Sequence, residues 1–232
     1  NIEILVNNAG IKLRHVKQIN GSGILQSNIE LVIFDMDGVL CRYDFDERLR
    51  ILSEVTGLPA ADIDAAIFRS GFDDQGDRGL YSAEDYLSQF SERLDVPVSR
   101  DDWLRARRDS IAPDVAMLDL VAQVGCQVAI AMLTNNGPLL QYGFAEVFPQ
   151  AAALFGERAF FSSQLKSTKE KPEIFRLILT ALGVKPTNTL FIDDTPAYIA
   201  SARTAALLTH QFRGIHGLRD VLLTHGISVE PA

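Results

Sequence analysis

Residues 29–39 read IELVIFDMDGV, and this stretch decides the fold. Its first part, residues 29–36, is a largely apolar, β-branched run of the kind that forms a strand buried on both faces of a parallel sheet. The run ends in acidic residues and Gly38, as expected where a buried strand enters a tight turn. We therefore predict an α/β fold that places Asp35 and Asp37 at the carboxyl end of its first strand.

Four more apolar runs have the same strand character, and helical patterns follow them along the chain. The predicted strands are 127–133, 158–161, 189–192 and 207–212. The predicted helices are 139–148, 173–182, 197–206 and 218–223. Because strands and helices alternate, we expect a Rossmann-like parallel sheet covered by helices on both faces.

The segment between the first and second predicted strands shows helical patterns and no strand pattern. Its predicted helices are 46–56, 60–69, 83–94 and 100–110, separated by glycines and prolines. We therefore predict an inserted all-helical cap domain at 45–113, within a core domain formed by 29–44 and 114–232.

The first 28 residues form an extension whose role the sequence leaves unclear. Residues 5–10, LVNNAG, resemble the NNAG stretch of short-chain dehydrogenases. That family also has a glycine-rich turn after its first strand and a Tyr-x-x-x-Lys pair, and this chain has neither. We therefore expect an accessory strand or loop, or an added segment.

Composition narrows the range of partners. A chain of 232 residues with 47% hydrophobic content can bury a full core. The net charge of −8 makes the average surface repel polyanions, and no basic run offsets it, so we expect neither nucleic acid nor an anionic membrane as a partner. Residues 115–133 are apolar but interrupted by polar side chains, so no membrane-spanning helix is predicted.

The cysteine content indicates the redox environment of the protein. Cys41 and Cys126 are too few for a disulfide framework, and both have apolar neighbours, so we expect buried thiols in a reducing environment. The chain shows no pattern of a secretory signal. We therefore expect a cytoplasmic monomer or homodimer.

Asp35 and Asp37 lie where ligands bind to an open parallel sheet, at the carboxyl ends of its strands. Separated by one residue on backbone that leaves the strand, both carboxylates can point at one reaction centre. One can attack while the other moves protons. The alternative interpretation of this motif alone is an acidic turn without chemistry.

Two later strands end in side chains that complement this pair. Thr134 and Asn135 follow one strand and offer a hydroxyl and backbone amides to a phosphate oxygen. Asp193 and Asp194 follow another strand, although adjacent acids are also common helix caps. Carboxylates that converge on one edge repel each other, and Mg²⁺ with its oxygen ligands would neutralise them.

These ordered motifs resemble the haloacid dehalogenase superfamily, in the subgroup with a helical cap inserted after the first strand (subfamily I, C1-type cap). The resemblance covers roughly residues 29–226. It implies that Asp35 is the nucleophile that forms an aspartyl-phosphate and that Asp37 is the general acid and base. It also implies that Thr134 and Asn135 bind the phosphoryl group.

The resemblance also implies a Mg²⁺ site formed by four acids. Asp193 and Asp194 would bind the ion together with Asp35 and the backbone carbonyl of Asp37. Many relatives have an asparagine where this chain has Tyr198, so the support of the lysine or of the metal loop is expected to differ here.

The lysine of the family's third motif has two candidates in residues 168–175, TKEKPEIF. Alignment of Pro172 and Phe175 with the family pattern Lys-Pro-x-Pro-x-x-Phe selects Lys169, whereas a local Lys-Pro match selects Lys171. We favour Lys169. Its charge would keep Asp35 ionised and would offset the phosphoryl oxygens.

The expected function is that of a Mg²⁺-dependent phosphatase acting on a small phosphorylated metabolite, with a sugar phosphate favoured. Asp37 disfavours a dehalogenase, because that reaction has no leaving alkoxide to protonate. A phosphomutase of the same fold, similar to β-phosphoglucomutase, and a non-catalytic phosphate-binding regulator remain as alternatives. In the predicted cap, Arg69 opens a polar, glycine-rich loop at 69–79 that can contact the substrate anion or simply be solvated.

Overall fold

The computed structural model describes residues 2–7, 10–15 and 28–230. The strands are β1 (Ile2–Asn7), β2 (Gly10–His15), β3 (Leu31–Phe34), β4 (Cys41–Tyr43), β5 (Ile111–Pro113), β6 (Ala129–Thr134), β7 (Ala159–Phe161), β8 (Thr189–Asp193) and β9 (Leu208–Gln211).

Helices make up most of the remaining described chain. They are α1 (Phe45–Thr56), α2 (Ala60–Ile63), α3 (Phe72–Asp77), α4 (Ala83–Leu94), α5 (Arg100–Asp109), α6 (Val115–Gly125), α7 (Pro138–Tyr142), α8 (Phe144–Val147), α9 (Pro149–Phe155), α10 (Ser162–Leu165), α11 (Glu173–Leu182), α12 (Pro196–Thr204) and α13 (Ile215–Thr224). Shorter turns are a π-helix at Asp64–Phe68 and 3₁₀-helices at Gly156–Arg158 and Pro186–Asn188.

Five strands form one parallel sheet in the order β7-β6-β3-β8-β9. In the central strand, Phe34 lies opposite Met132 of β6 and Ile192 of β8. This register brings the carboxyl ends of the three strands to one edge of the sheet. The structure confirms the Rossmann-like α/β prediction.

Both faces of the central strand are buried. Leu31 and Ile33 belong to the apolar cluster that includes residues of α11 and α12. Val32 and Phe34 point the other way, into the larger cluster that includes residues of α6 and α13. Burial of each such side chain contributes about 1.5–3 kcal/mol. A strand with polar side chains on one face would lose half of this stabilisation. This explains why the apolar run is continuous.

Five helices, α1 to α5, are inserted between β4 and β5. These two short strands pair antiparallel, with Cys41 opposite Pro113, so the insertion leaves and returns through a two-stranded link. The predicted helix at 83–94 agrees with α4, whereas the predicted helix at 60–69 passes into the π-helical turn. The link strands and α3 were not predicted, and β5 forms the last three residues of the segment 45–113.

The predicted helix at 139–148 is broken into α7 and α8 at Gly143. A Cβ atom at Gly143 would overlap the side chain of Leu104 in α5. The glycine therefore permits a close contact between the inserted helices and the sheet domain, and that contact interrupts the helix.

The prediction that both cysteines are buried is correct for one of them. Cys41 is buried, but the expectation of a buried Cys126 was wrong, because this residue lies exposed at the end of α6. In the described part of the chain, each helix is too short or too polar to cross a bilayer.

Within the N-terminal extension, β1 and β2 pair antiparallel. The LVNNAG stretch starts in β1 and ends at the first residue of β2, and its residues 8 and 9 lie outside the described residues, as do 16–27.

Candidate active site

Asp35 follows directly after β3, at the carboxyl edge of the sheet. Its backbone amide donates a hydrogen bond of 2.9 Å to the carbonyl of Ile192 in β8, which extends the ladder by one residue. Its side chain is buried, and Oδ1 accepts a hydrogen bond of 2.7 Å from the amide of Met36. The sheet therefore fixes the backbone of Asp35, and the Met36 amide holds its carboxylate.

Gly38 turns the chain away from the strand. Its φ of +85° lies in the left-handed region, and its amide donates to the carbonyl of Cys41 at 2.8 Å. A Cβ atom at Gly38 would overlap the carboxylate of Asp194. Glycine therefore provides the turn and also the space for Asp194 to lie against it.

Lys169 brings its amine to two carboxylates at once. The Nζ atom lies 2.7 Å from Oδ1 of Asp35 and 2.7 Å from Oδ2 of Asp193, and the side chain is buried. The backbone amide of Lys169 donates a hydrogen bond of 3.0 Å to Oδ1 of Asn135, which anchors the loop. Lys171, the alternative candidate, is exposed.

Burial dominates the electrostatics of this group. It raises the pKa of Asp35 to about 8, although the ammonium of Lys169 opposes the shift and the charge of Asp193 adds to it. Burial alone would lower the pKa of Lys169, but the two carboxylates raise it. The raised pKa of Asp35 favours its neutral carboxyl form. The raised pKa of Lys169 favours a charged ammonium that pairs with carboxylates. One ammonium serves two buried carboxylates, so Lys169 stays charged while burial outweighs its effect on the pKa of Asp35.

The residues present fit a divalent cation. Asp35, Asp193 and Asp194 each offer a carboxylate oxygen, and these oxygens lie within 4.8 Å of one another. Carboxylate oxygens are the ligands that Mg²⁺ prefers. Two buried carboxylates, those of Asp35 and Asp193, share the single ammonium of Lys169, and this shortage of positive charge supports a cation here.

Asp37 is paired with a residue of the insertion. Its Oδ2 accepts hydrogen bonds from Nη2 of Arg107 at 2.5 Å and from Nδ2 of Asn136 at 3.3 Å. Burial alone would raise the pKa of Asp37, but the Arg107 guanidinium and the hydrogen bonds lower it below its ordinary value. The carboxylate is therefore ionised in this conformation.

Thr134 ends β6 beside the two acids of the first motif. Its buried Oγ1 accepts a hydrogen bond of 2.6 Å from Nδ2 of Asn136. The amide of Asn136 in turn donates to Oγ of Ser162 at 3.0 Å, so the loop after β6 is held by α10. Asn135 has its side chain turned towards Lys169 and Glu170. The loop thus presents a hydroxyl next to Asp37.

Arg69 is the candidate that the structure does not bring to this cluster. Its guanidinium is exposed and forms an ion pair of 2.9 Å with Asp64, one turn earlier in the same helical segment. Among the described residues, its other hydrogen bond goes to the carbonyl of Ala61. The local acid pairs with this arginine, and its contact with a substrate anion stays a prediction.

Tyr198, at the position where many relatives have asparagine, lies over the motif lysine. Its ring centroid is 4.6 Å from Nζ of Lys169, a cation–π distance. An aromatic face thus covers the ammonium here.

Sequence reasoning missed Arg107 and Asn136. Asn136 follows directly after Thr134 and Asn135, so its neighbours were a signal. Arg107 lies among four arginines of α5, and its one distinguishing feature is the buried Trp103 four residues earlier, on the same helix face. That spacing marks an inward-facing arginine but does not reveal its partner.

Comparisons with known proteins agree with this arrangement. The sequence model of the haloacid dehalogenase-like hydrolase family matches residues 29–206. A phosphatase of Mycobacterium tuberculosis is 28% identical over 190 residues, which are 78% of this chain and 85% of that protein. The D-ribitol-5-phosphate phosphatase of Bacteroides thetaiotaomicron is 23% identical over 79% of this chain and 91% of its own length.

A solved structure has the same fold. It is a HAD family enzyme of Bacteroides thetaiotaomicron in complex with magnesium and inorganic phosphate, with a TM-score of 0.67 and 21% identity. The match covers 78% of this chain and 93% of that one. Since the family model spans most of the chain, the protein belongs to the haloacid dehalogenase-like hydrolases.

Proposed function

We propose that this protein is a Mg²⁺-dependent phosphatase that hydrolyses a small phosphorylated metabolite through an aspartyl-phosphate on Asp35. The observation that carries the proposal is the contact of 2.7 Å between Lys169 and the buried Asp35 carboxylate, at the sheet edge that also holds Asp193 and Asp194. A nucleophile needs the ionised form, and the ammonium favours that form.

Asp35, Asp193, Asp194 and the carbonyl of Asp37 would hold the Mg²⁺. When bound, the ion neutralises the negative charge of the acids and of the phosphoryl oxygens. Lys169 and the hydroxyl of Thr134 would bind the phosphoryl oxygens as well. Phosphoryl transfer depends mainly on such positioning and charge neutralisation.

In the first half-reaction, an Asp35 carboxylate oxygen attacks the phosphorus in line with the ester oxygen. The bond between phosphorus and the ester oxygen breaks, and Asp37 donates a proton to the departing alkoxide. Asp37 gains that proton when the anionic substrate binds beside it, because a nearby negative charge raises the pKa of a carboxyl. The alcohol leaves, and the phosphoryl group stays on Asp35 as an acyl phosphate.

In the second half-reaction, Asp37 takes a proton from a water molecule, and the resulting oxygen attacks the same phosphorus. The bond between phosphorus and the Asp35 oxygen breaks, which releases phosphate and restores the carboxylate. Asp37 ends protonated, as it began, so the two halves balance.

The inserted segment 45–113 is proposed to act as a cap domain over a core of 29–44 and 114–232. Its helix α3 lies beside the loop after β6, because a Cβ atom on Gly137 would lie 3.6 Å from Oδ1 of Asp77. Asp73, Asp74 and Asp77 make this part of the insertion acidic and polar.

Burial raises the pKa of Asp77, the acid that lies beside this loop, so its carboxyl can both donate and accept hydrogen bonds and favours a leaving group that is rich in hydroxyls. A sugar or polyol phosphate fits this description, and the name of the Bacteroides relative supports the same class. The low cysteine count supports a cytoplasmic location.

The test is a phosphate-release screen over sugar, polyol, nucleotide and amino-acid phosphates, first with Mg²⁺ and then with a chelator. We expect Mg²⁺-dependent release, greatest with a sugar or polyol phosphate. Absence of release from every phosphate, with Mg²⁺ binding intact, would refute the proposal in favour of a regulator. Conversion of glucose 1-phosphate to hexose 6-phosphate without free phosphate would refute it in favour of a mutase.

A further inference from the structure

We infer that Asp77 determines which phosphate esters the enzyme accepts, because its carboxyl forms a subsite for a hydroxyl of the leaving group. The inference rests on the proposed function and deepens it, since it assigns the contact that selects the substrate. Asp77 is the last residue of α3, at the boundary between the insertion and the sheet domain.

Asp77 lies beside the loop that carries the phosphoryl-binding hydroxyl. A Cβ atom on Gly137 would lie 3.6 Å from Oδ1 of Asp77. Gly137 follows Asn136, whose side-chain amide donates hydrogen bonds to Thr134 and to Asp37. In the proposed reaction the leaving group departs next to Asp37, so Asp77 borders the space that this group occupies.

The backbone on both sides of Asp77 is tightly packed. A Cβ atom on Gly76 would lie 2.7 Å from the ring of Tyr86 in α4. A Cβ atom on Gly79 would lie 2.2 Å from the carbonyl oxygen of Ser163 in α10. The first contact holds α3 against the insertion and the second holds the following turn against the sheet domain. Asp77 therefore has a defined position relative to the site, as a residue that selects substrates requires.

The carboxyl of Asp77 lacks a partner within the described residues, since it forms no hydrogen bond or ion pair there. Asp73, one turn earlier in α3, does have a partner, because it accepts a hydrogen bond from the hydroxyl of Tyr86. A carboxyl that is partly removed from water without a hydrogen bond costs free energy. Asp77 is partly exposed, so a bound hydroxyl can reach it and supply the missing hydrogen bond.

Two buried arginines of the insertion add unpaired donors to the same region. Arg48 is 6% exposed and Arg107 is 1% exposed, and the charges of both act on the carboxyl of Asp77. Over the described part of the chain, Nε of Arg48 and both Nε and Nη1 of Arg107 have no hydrogen-bond partner. The region thus combines unpaired donors with an unpaired acceptor. A hydroxyl both donates and accepts, so a polyol complements this combination, whereas an alkyl chain complements neither.

Two pairs of phosphate esters with equal chain length measure the contact. Each pair combines a polyol ester with an alkyl ester that has no hydroxyl: sorbitol 6-phosphate with hexyl phosphate, and glycerol 3-phosphate with propyl phosphate. All four have a primary alkyl leaving group. The ratio of kcat/KM within a pair therefore reports the contribution of the hydroxyls, because the phosphoryl chemistry is shared.

The experiment compares Asp77→Ala and Asp77→Asn with the matched control Asp74→Ala, an exposed acid of the same helix. We expect the wild type to prefer the polyol ester in at least one pair. Asp77→Ala should reduce that preference about 10-fold, the effect of one hydrogen bond, and should leave the alkyl ester nearly unaffected. Asp77→Asn keeps a donor and an acceptor and should retain part of the preference. Asp74→Ala should behave like the wild type.

Removal of a carboxyl that has no partner should not lower the melting temperature. If Asp77→Ala nevertheless does not fold, Asp77→Leu, which has a side chain of similar volume, takes its place in the same comparison.

The inference would be overturned if the wild type prefers the polyol ester in neither pair, or if Asp77→Ala leaves the preference unchanged. Equal losses on both members of a pair would also overturn it, because a structural role affects both alike. In each case the proposed function still stands if the wild type releases phosphate from any compound of the screen. If it releases none from the four esters or from the screen, the proposed function fails and the inference fails with it.

Discussion

The Nζ atom of Lys169 lies 2.7 Å from Oδ1 of Asp35, which joins the loop before α11 to the end of the central strand. The same ammonium also lies 2.7 Å from Asp193, so one positive charge is divided between two buried carboxylates. This division explains why the site attracts a further cation, and it makes Lys169 the first residue to test.

Replacement of Lys169 by methionine should lower kcat about 100-fold to 1,000-fold, the usual loss when one preorganised electrostatic group is removed. Lys171→Met is the matched control, since this exposed lysine lies two residues away on the same loop. We expect the control to retain nearly full activity in a steady-state phosphate-release assay. A larger loss at Lys171 would reverse the assignment of the motif lysine.

The metal-free protein should lose stability as the pH rises. Burial raises the pKa of Asp35 to about 8 from an ordinary value of 3.8. The folded state therefore holds this proton more tightly than the unfolded chain, and the free energy of unfolding falls as the pH rises from about 4 to about 8. Thermal unfolding in chelator between about pH 4 and pH 8 measures this change.

Asp35→Asn is the control for that measurement, because an amide cannot titrate. Its melting temperature should fall less steeply over the same range of pH. Parallel curves for the variant and the wild type would show that another group causes the pH dependence. Mg²⁺ should flatten the wild-type curve, since a bound cation stabilises the ionised carboxylate.

Gly38→Ala should weaken Mg²⁺ binding, whereas Gly57→Ala should not. Both glycines have positive φ, so each substitution costs about 1 kcal/mol of backbone strain. Only at Gly38 does the added Cβ atom overlap the carboxylate of Asp194, since no atom lies within 4 Å of the Cβ position at Gly57. Isothermal titration with Mg²⁺ separates the shared strain from the specific effect, and equal affinities in the two variants would contradict the account.

Tyr198→Ala should reduce activity more than Tyr198→Phe does. The ring lies 4.6 Å from the Lys169 ammonium, and phenylalanine retains that aromatic face. A partly buried cation–π contact contributes about 1–2 kcal/mol, which corresponds to a loss of about 10-fold for the alanine variant. The comparison of kcat for the two variants checks this. An equal loss in both would assign the effect to the hydroxyl.

Sequence patterns predicted the parts of this structure that depend on local chemistry. The edge of the sheet could be predicted from the apolar run before Asp35 and from the acidic and hydroxyl residues after the strands. The reason is that the carboxyl ends of parallel strands lie on the same side of the sheet. Arg107 could not be predicted because its partner Asp37 is 70 residues away and is reached only through the packing of the insertion. Arg69 was expected at the site on charge alone, and a nearby acid, Asp64, pairs with it instead.

An acid-quenched reaction of Asp37→Asn with 4-nitrophenyl phosphate tests the central claim most directly. This variant lacks the base of the second half-reaction, so the acyl phosphate should accumulate while 4-nitrophenol is still released. Mass spectrometry of the digested protein should find one phosphoryl group on the peptide that contains Asp35. A phosphoryl group on another residue, or release of 4-nitrophenol by Asp35→Asn at the wild-type rate, would contradict the account.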